Sequence, residues 1–214
     1  MDSGERRIVL TYAPTRRAGD GLAALLDLDD RLGETLRTTT EPMLGQIRLQ
    51  WWHDALCALD SAPPPAEPVL EGVARHVLSE GIAGAMVAEI VDGWQMLLQE
   101  QLDEAALHGF AGRGRQLFGL AARLANADPG DPAGRAGEGW ALADVALRLS
   151  DPAEAATARR MAEDALAEAT KLRWSRNGRA LGAMAHLARL DLAGVAPGAP
   201  KRTGRALWHR MTGR

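Results

Sequence analysis

Apolar residues along most of this chain recur at the spacing of amphipathic helices, and we find no alternating run of strand length. Leu22, Leu25, Leu32 and Leu36, for example, fall on one face of a helix. Stretches rich in Pro, Gly and Ser separate such segments. The pattern predicts helices over residues 18–37, 42–60, 67–79, 82–107, 111–126, 134–149, 152–176, 178–193 and 202–212. We expect an all-α fold in one domain, with 82–107 as its central helix.

The second predicted helix carries adjacent Trp residues and one embedded base. Arg48 lies one turn before Trp52, so its guanidinium can stack on that indole. Two interpretations stay open: a buried structural cluster, with Arg48 paired to an acid of the first helix or to Glu41, or a cluster that faces a ligand. The apolar face predicted for this helix consists of Leu44, Ile47, Trp51 and Ala55, widened by Leu49, Trp52, Leu56 and Leu59.

Acidic side chains of the first long helix fall on two of its sides. Asp29 shares the face of the leucines, where a carboxylate is costly unless it is paired or faces a cavity. Asp27, Asp30 and Glu34 share another side, which is either solvated or turned to a ligand. The candidate residues for a ligand cavity are therefore Asp29, Asp30, Glu34, Arg48 and Trp52.

Charge is distributed unevenly along the 214 residues, whose net charge is −3. From Ala169 onward there are ten basic residues and one acid, a net +9, which leaves −12 for the rest of the chain. We expect a domain at residues 1–200 and a basic amphipathic tail at 201–214. The tail either binds an anionic partner such as a membrane surface or packs on the protein's own acidic body. The residues predicted to bind a membrane are Lys201, Arg202, Arg205, Trp208 and Arg210.

Motifs for common site chemistry are missing from the sequence. The five His have no metal-ligand spacing, and the single Cys57 excludes an internal disulfide and a cysteine-built zinc site. The Gly-rich run from Gly109 to Gly119 follows no predicted strand, so it does not fit a dinucleotide-binding or P-loop motif. We expect it to let two helices approach closely or to mark a break. We predict no catalytic residues, no metal site, no cofactor and no nucleic-acid partner. The charged N-terminus and the lack of a long apolar run predict a cytoplasmic protein.

Several segments, taken in order, resemble the squalene/phytoene synthase family. They are LAALLDLDDRLGETL, EPMLGQIRLQWWHDAL, MVAEIVDGWQMLL, FAGRGRQLFGLAARL, GWALADVALRL and RALGAMAHLARLDL, with Arg-Leu-Gln-Trp-Trp as the most specific piece. The resemblance covers roughly residues 10–195. It implies the isoprenoid synthase fold, a helical bundle around a central cavity. In the enzymes of this family, Asp-rich motifs on two facing helices hold Mg²⁺, which binds the diphosphates of two prenyl substrates.

This chain departs from that family at both motifs. Gly33, Glu34, Thr35, Leu36 and Arg37 stand where the first motif has its acids, and the stretch from Asp144 to Asp151 lacks the second pattern. The chain thus resembles a non-catalytic branch, similar to assembly factors of respiratory complex I. The resemblance implies binding of an isoprenoid or lipid-like ligand, or of a membrane-bound partner, with the protein peripheral at the inner face of the membrane. The alternatives are a Mg²⁺-dependent prenyltransferase and a helical scaffold without a cavity.

Overall fold

The computed structural model describes residues 1–39 and 41–214, and within them the chain forms ten α-helices, two 3-10 helices and no strand. The predicted all-α class is confirmed. The α-helices are α1 Ser3–Leu10, α2 Arg16–Arg37, α3 Pro42–Ala58, α4 Pro68–His76, α5 Gly84–Gln95, α6 Glu104–Ala125, α7 Ala133–Ala146, α8 Pro152–Lys171, α9 Arg179–Leu192 and α10 Pro200–Thr212. The 3-10 helices are Leu78–Glu80 and Met96–Leu98.

Side-chain caps fix where several helices begin. Asp151 accepts from the backbone N–H groups of Ala153 and Glu154, and Pro152 occupies the first turn, as the Ser-Asp-Pro sequence predicts. Asp2 and Glu5 form a reciprocal capping box that starts α1, a helix the periodicity did not predict. With only 8 residues, α1 is too short to show a clear apolar period.

The predicted long helix over 82–107 is wrong, because the chain turns back on itself within it. After α5 the backbone tightens into the 3-10 helix Met96–Leu98 and then extends at Gln99. Asp103 caps a new helix, α6, by accepting from the N–H of Ala106. Helices α5 and α6 pack against each other, so two shorter helices replace the expected central one.

The central position belongs to α7, which packs against α6, α8 and α9. Its small residues allow this close packing. A Cβ on Gly114 of α6 would overlap the carbonyl of Gly137 on α7, and a Cβ on Gly137 would overlap the carbonyl of Gly114. The two backbones therefore touch where they cross, and the expectation that the Gly-rich run lets two helices approach closely is confirmed.

Only one part of the apolar face predicted for helix α3 is buried, the part that widens it through Leu49, Trp52 and Leu56. Its buried residues are Gly45, Leu49, Trp52 and Leu56, which pack toward α5. The residues predicted to be inside, from Leu44 through Ile47 to Trp51, are exposed. Both sides of this helix are apolar, so periodicity alone could not show which side faces the core.

The C-terminal helix α10 packs on α9 and belongs to the main body. Arg202 is 1% exposed, and its guanidinium bridges Glu5 of α1 and Asp191 of α9. The guanidinium, chiefly through its hydrogen bond, lowers the pKa of Glu5 below its usual range. For Arg202, the predicted role in membrane binding is therefore wrong, because its guanidinium is buried and paired with two acids of the same protein.

Candidate ligand-binding cavity

A buried ion pair joins α2 to α6 in the interior of the molecule. The Arg113 side chain, fully buried, donates to both carboxylate oxygens of Asp29, which also accepts a hydrogen bond from Trp94 Nε1 at 3.0 Å. The sequence predicts that Asp29 is either paired or faces a cavity, and in the structure it is paired with Arg113. The ion pair and these three hydrogen bonds offset much of the cost of burying a carboxylate.

Aromatic rings enclose the guanidinium of Arg113. Its central carbon lies 4.1 Å from the ring centre of Trp94, 4.5 Å from that of Phe110 and 5.1 Å from that of Trp140. Gly93 permits this approach, because a Cβ there would lie 2.6 Å from Arg113 Cβ. Cation–π contacts and the ion pair together hold a permanent positive charge in an apolar interior.

Arg113 also faces an acid on a third helix. Its Nη2 lies 3.6 Å from Asp144 Oδ2 on α7, beyond hydrogen-bond distance. Within the described part of the chain, Nε and Nη2 of Arg113 have no hydrogen-bond partner. The guanidinium thus occupies the space between a carboxylate of α2 and a carboxylate of α7.

Two adjoining cavities open beside this cluster, sharing Gly33, Arg37, Trp94, Asp144 and Arg148 in their walls. The polar cavity, of about 110 Å³, is completed by Met1, Arg6, Leu26, Asp29, Asp30 and Trp140. The apolar cavity, of about 240 Å³, is completed by Leu36, Leu97, Leu102, Phe110, Val145 and Leu149. Gly33 matters for both, because a Cβ there would lie 2.9 Å from the Trp94 ring, which also lines both cavities.

The size of the cavities limits what can bind. The apolar cavity, at about 240 Å³, lies just below the usual range of small-molecule sites, about 300–1,000 Å³, and the polar cavity of about 110 Å³ adjoins it. That space suits one short apolar chain with a small head group. It does not suit two long prenyl chains side by side.

Charges stand at the shared wall of the cavities, and most of them are paired. Arg148 donates to Asp144, and Arg6 donates to Asp30 at 2.6 Å. Arg37, exposed at the end of α2, makes no ion pair within the described residues. It is therefore the cation that remains available to an anionic group entering the cavities.

The five residues predicted to line one cavity are divided between two sites. Asp29 and Asp30 line the polar cavity. Glu34, Arg48 and Trp52 line a separate open groove between α2 and α3. This separation follows from the orientation of α3, which turns Arg48 away from the ion pair of the interior.

Arg48 is exposed and hydrogen-bonds the hydroxyl of Thr39 at 2.7 Å. The predicted pairing with an acid of the first helix or with Glu41 is absent from the described contacts, so that prediction is wrong. Trp52 is buried as expected and packs edge-on against Trp51, with ring centres 5.2 Å apart. Packing of Trp52, without help from Arg48, therefore stabilises this helix.

On α10, the predicted membrane-binding residues fall into two groups. Lys201, Trp208 and Arg210 are exposed, with Trp208 54% accessible. Arg205 is half-buried, and its Nη2 lies 2.8 Å from Nε2 of buried His186. The intramolecular alternative for the basic tail is thus correct for Arg202 and, in part, for Arg205.

Sequence reasoning missed Arg113, the buried partner of Asp29 beside the cavities. A signal was present: Arg113 lies three residues after Phe110 and four before Leu117, on the apolar face of its helix. Asp29 is an acid on the apolar face of one helix and Arg113 a base on the apolar face of another. Because each needs a counter-charge when buried, the sequence predicts that they pair. The signal was hidden because the Gly-rich run was interpreted only through its glycines.

Comparison of this chain with family models, curated proteins and solved structures finds no match. The resemblance to squalene/phytoene synthases therefore rests on the sequence segments alone. Within the described residues, no group of three or more His, Cys, Asp or Glu is placed to hold a metal ion. In the same part of the chain, no helix is both long enough and apolar enough to cross a membrane.

Proposed function

We propose that this protein binds one short isoprenoid or lipid-like molecule between α2, α5, α6 and α7, without metal-dependent chemistry. The observation that carries the proposal is the position of Arg113. Its guanidinium lies between Asp29 of α2 and Asp144 of α7, so a fixed cation fills the space between two facing carboxylates. The apolar cavity next to it offers leucine, valine and phenylalanine side chains to a hydrocarbon chain.

Arg37 favours a ligand with an anionic head group. It borders both cavities and has no described ion-pair partner, whereas Arg148 and Arg6 are held by Asp144 and Asp30. A phosphate or carboxylate at this point would gain a charge-assisted hydrogen bond. The ligand class is thus a single-chain amphiphile with about ten carbons, such as geranyl phosphate, and a small negative head.

Calorimetric titration with geranyl phosphate tests this proposal. Leu149→Trp should fill the apolar cavity and weaken binding at least tenfold. Leu147→Trp, two residues away but 53% exposed, is the matched control and should bind like the parent. Arg37→Gln should weaken binding of geranyl phosphate but leave binding of uncharged geraniol unchanged. Equal binding by the parent and Leu149→Trp would rule out this cavity, and no binding of either compound would favour the scaffold alternative.

A second candidate function is attachment to anionic membrane surfaces through α10. Leu207, Trp208 and Met211 form an exposed apolar edge, and Lys201 and Arg210 are exposed beside it. Trp at the head-group level and bases near an anionic leaflet support such binding, at about 1 kcal/mol for each base near the surface. Trp208→Glu should reduce sedimentation with anionic vesicles in low salt. Leu172→Glu, at an exposed leucine outside α10, is the control and should not. Point variants are preferred to truncation at Pro200, because removal of Arg202 would leave Glu5 without its partner.

A further inference from the structure

Two histidines and one arginine form a cluster between α9 and α10. His186 of α9 is 3% exposed and His209 of α10 is 0% exposed, and their ring centres lie 4.8 Å apart. Nη2 of the Arg205 guanidinium lies 2.8 Å from Nε2 of His186. Trp174 packs edge-on against His209, with ring centres 6.3 Å apart. Three side chains that can each carry a positive charge are therefore packed together, largely away from water.

The ring nitrogens of His209 are buried without a partner. Within the described residues, neither Nδ1 nor Nε2 has a hydrogen-bond partner at ordinary geometry. Burial of an unpartnered polar group is costly, and the cost rises steeply when the group is charged. His209 is therefore stable in this position chiefly as a neutral ring.

The charged groups that act on the two rings are all bases. Arg205 acts on both, while Arg189 acts on His186 and Arg179 acts on His209. Protonation of either ring thus adds a cation to a group of cations that has no acid to offset it. The acids of the surrounding helices are bound by other bases, Glu5 and Asp191 by Arg202, and Glu138 and Glu168 by Arg135.

The two ends of α10 are held by different contacts. Near its beginning, Arg202 is buried in its two ion pairs. Gly204 follows, where a Cβ would meet no atom within 4 Å, and a glycine inside a helix weakens it at that position. The second half of the helix, residues 205–212, is held by the histidine cluster and by donation from Arg173 and Arg179 to its last carbonyls. Because α10 packs chiefly on α9, this half can separate while the other helices stay folded.

We propose that residues 205–212 form an acid-sensitive latch, which protonation of His186 and His209 releases from α9, with Arg202 as the fixed end and Gly204 as the hinge. Release carries the exposed apolar edge of α10 away from the body and adds the charge of His209 to it. The latch goes beyond the proposed binding of a lipid-like molecule and does not depend on it.

The direction of the pH effect follows from the two states of the rings. Burial and the neighbouring bases lower the pKa of His186 to about 3 and the pKa of His209 to about 4 in the closed form. Both rings return to a pKa of about 6.5 once they reach water. The closed form is therefore favoured above about pH 6.5, and acidification to about pH 5 favours the open form about 30-fold for each His.

Hydrogen–deuterium exchange of the full chain, resolved by peptide with mass spectrometry, tests the latch between about pH 7.5 and pH 5. After correction for the intrinsic pH dependence of amide exchange, protection of residues 205–212 should fall several hundred-fold over this range. At every pH, these residues should exchange faster than α6 and α7. His209→Phe should reduce the fall to about 30-fold, because one ring no longer titrates. His108→Phe, at an exposed histidine of α6, is the matched control and should behave like the parent.

Arg205→Met provides a second variant in case His209→Phe packs badly. Loss of this cation raises the pKa of both rings in the closed form, so the fall in protection should become smaller. Constant protection of residues 205–212 from pH 7.5 to pH 5 would overturn the latch. Equal protection of α10 and α6 at every pH would also overturn it, because α10 would then separate only when the whole protein unfolds. An undiminished pH dependence in both variants would assign the acid response to other groups.

Discussion

Arg113 on α6 contacts both carboxylate oxygens of Asp29 on α2, 84 residues earlier in the chain. This pair is almost fully removed from water, with side-chain exposures of 0% and 8%. A pair in such a place adds less to stability than its attraction suggests, because both ions have lost their hydration. Its main effect is to fix where the positive charge lies relative to Trp94, Asp144 and the two cavities.

Asp29→Asn should destabilise the protein by about 3–5 kcal/mol, because it removes the carboxylate that Arg113 contacts directly and leaves the buried cation only Asp144, 3.6 Å from its Nη2. Chemical denaturation monitored by circular dichroism measures the loss. Asp27→Asn, on an exposed carboxylate of the same helix, is the matched control and should change stability by less than about 1 kcal/mol.

The double variant Asp29→Leu and Arg113→Met distinguishes the contribution of the ion pair from that of the other contacts at this site. It removes both charges together, so most of the lost stability should return. If the double variant is as unstable as Asp29→Asn, then hydrogen bonding to Trp94 and the aromatic stacking, not charge pairing, dominate at this site.

Trp52→Ala should cost about 3–5 kcal/mol, as a large-to-small change in a packed interior. Arg48→Ala and Trp51→Ala, both at exposed positions of the same helix, should each cost less than about 1 kcal/mol. Urea unfolding of the three variants measures the difference. A large loss in Arg48→Ala would contradict the orientation of α3 described above.

Stability should fall as pH drops from about 6.5 to 5, because His186 and His209 are buried between α9 and α10. Burial first, and Arg205 second, lower the pKa of His186 to about 3 and that of His209 to about 4. The unfolded chain therefore binds protons in this range that the folded chain does not, so the stabilisation is complete above about pH 6.5 and is lost on acidification.

Thermal unfolding at a series of pH values measures this loss, which we expect to be about 2 kcal/mol for each of the two His by pH 5. His209→Phe should show a shallower dependence, because one of the two groups no longer titrates. Glu5 acts in a more acidic range than the two His, because its hydrogen bond to Arg202 lowers its pKa. A midpoint that stays constant from pH 7.5 to 5 would show that both rings are accessible to water.

Periodicity predicted most of the helices because each buries one apolar side, a property that a single sequence shows directly. It failed where the deciding contact is distant in the chain. Gln99 extends and Asp103 caps a new helix, yet the apolar pattern over 82–107 predicts one helix. The break predicted between 107 and 111 is also wrong, because α6 continues through it. Arg202 is followed by no nearby acid in the sequence, but Glu5 reaches it from 197 residues away.

The candidate site was predictable in part. Asp29 was recognised as a carboxylate that needs a partner, but neither its partner nor its cavity could be derived from one helix. The apolar cavity depends on how α2, α6 and α7 cross, and α6 and α7 cross at Gly114 and Gly137, whose backbones are in direct contact. A local sequence pattern predicts which side of a helix is apolar, whereas the angle at which two helices cross depends on the packing of many side chains.

The most direct test is a titration of the purified protein with farnesyl or geranylgeranyl diphosphate, once with EDTA and once with Mg²⁺, in which pyrophosphate release is followed in the same samples. Geranyl phosphate serves as the short-chain reference. Because Arg113 supplies the cation between Asp29 and Asp144, we expect geranyl phosphate to bind equally with and without the metal. We expect no pyrophosphate and no condensed hydrocarbon from either diphosphate. Release of pyrophosphate that requires Mg²⁺ would contradict a metal-independent binding role and would establish the prenyltransferase alternative.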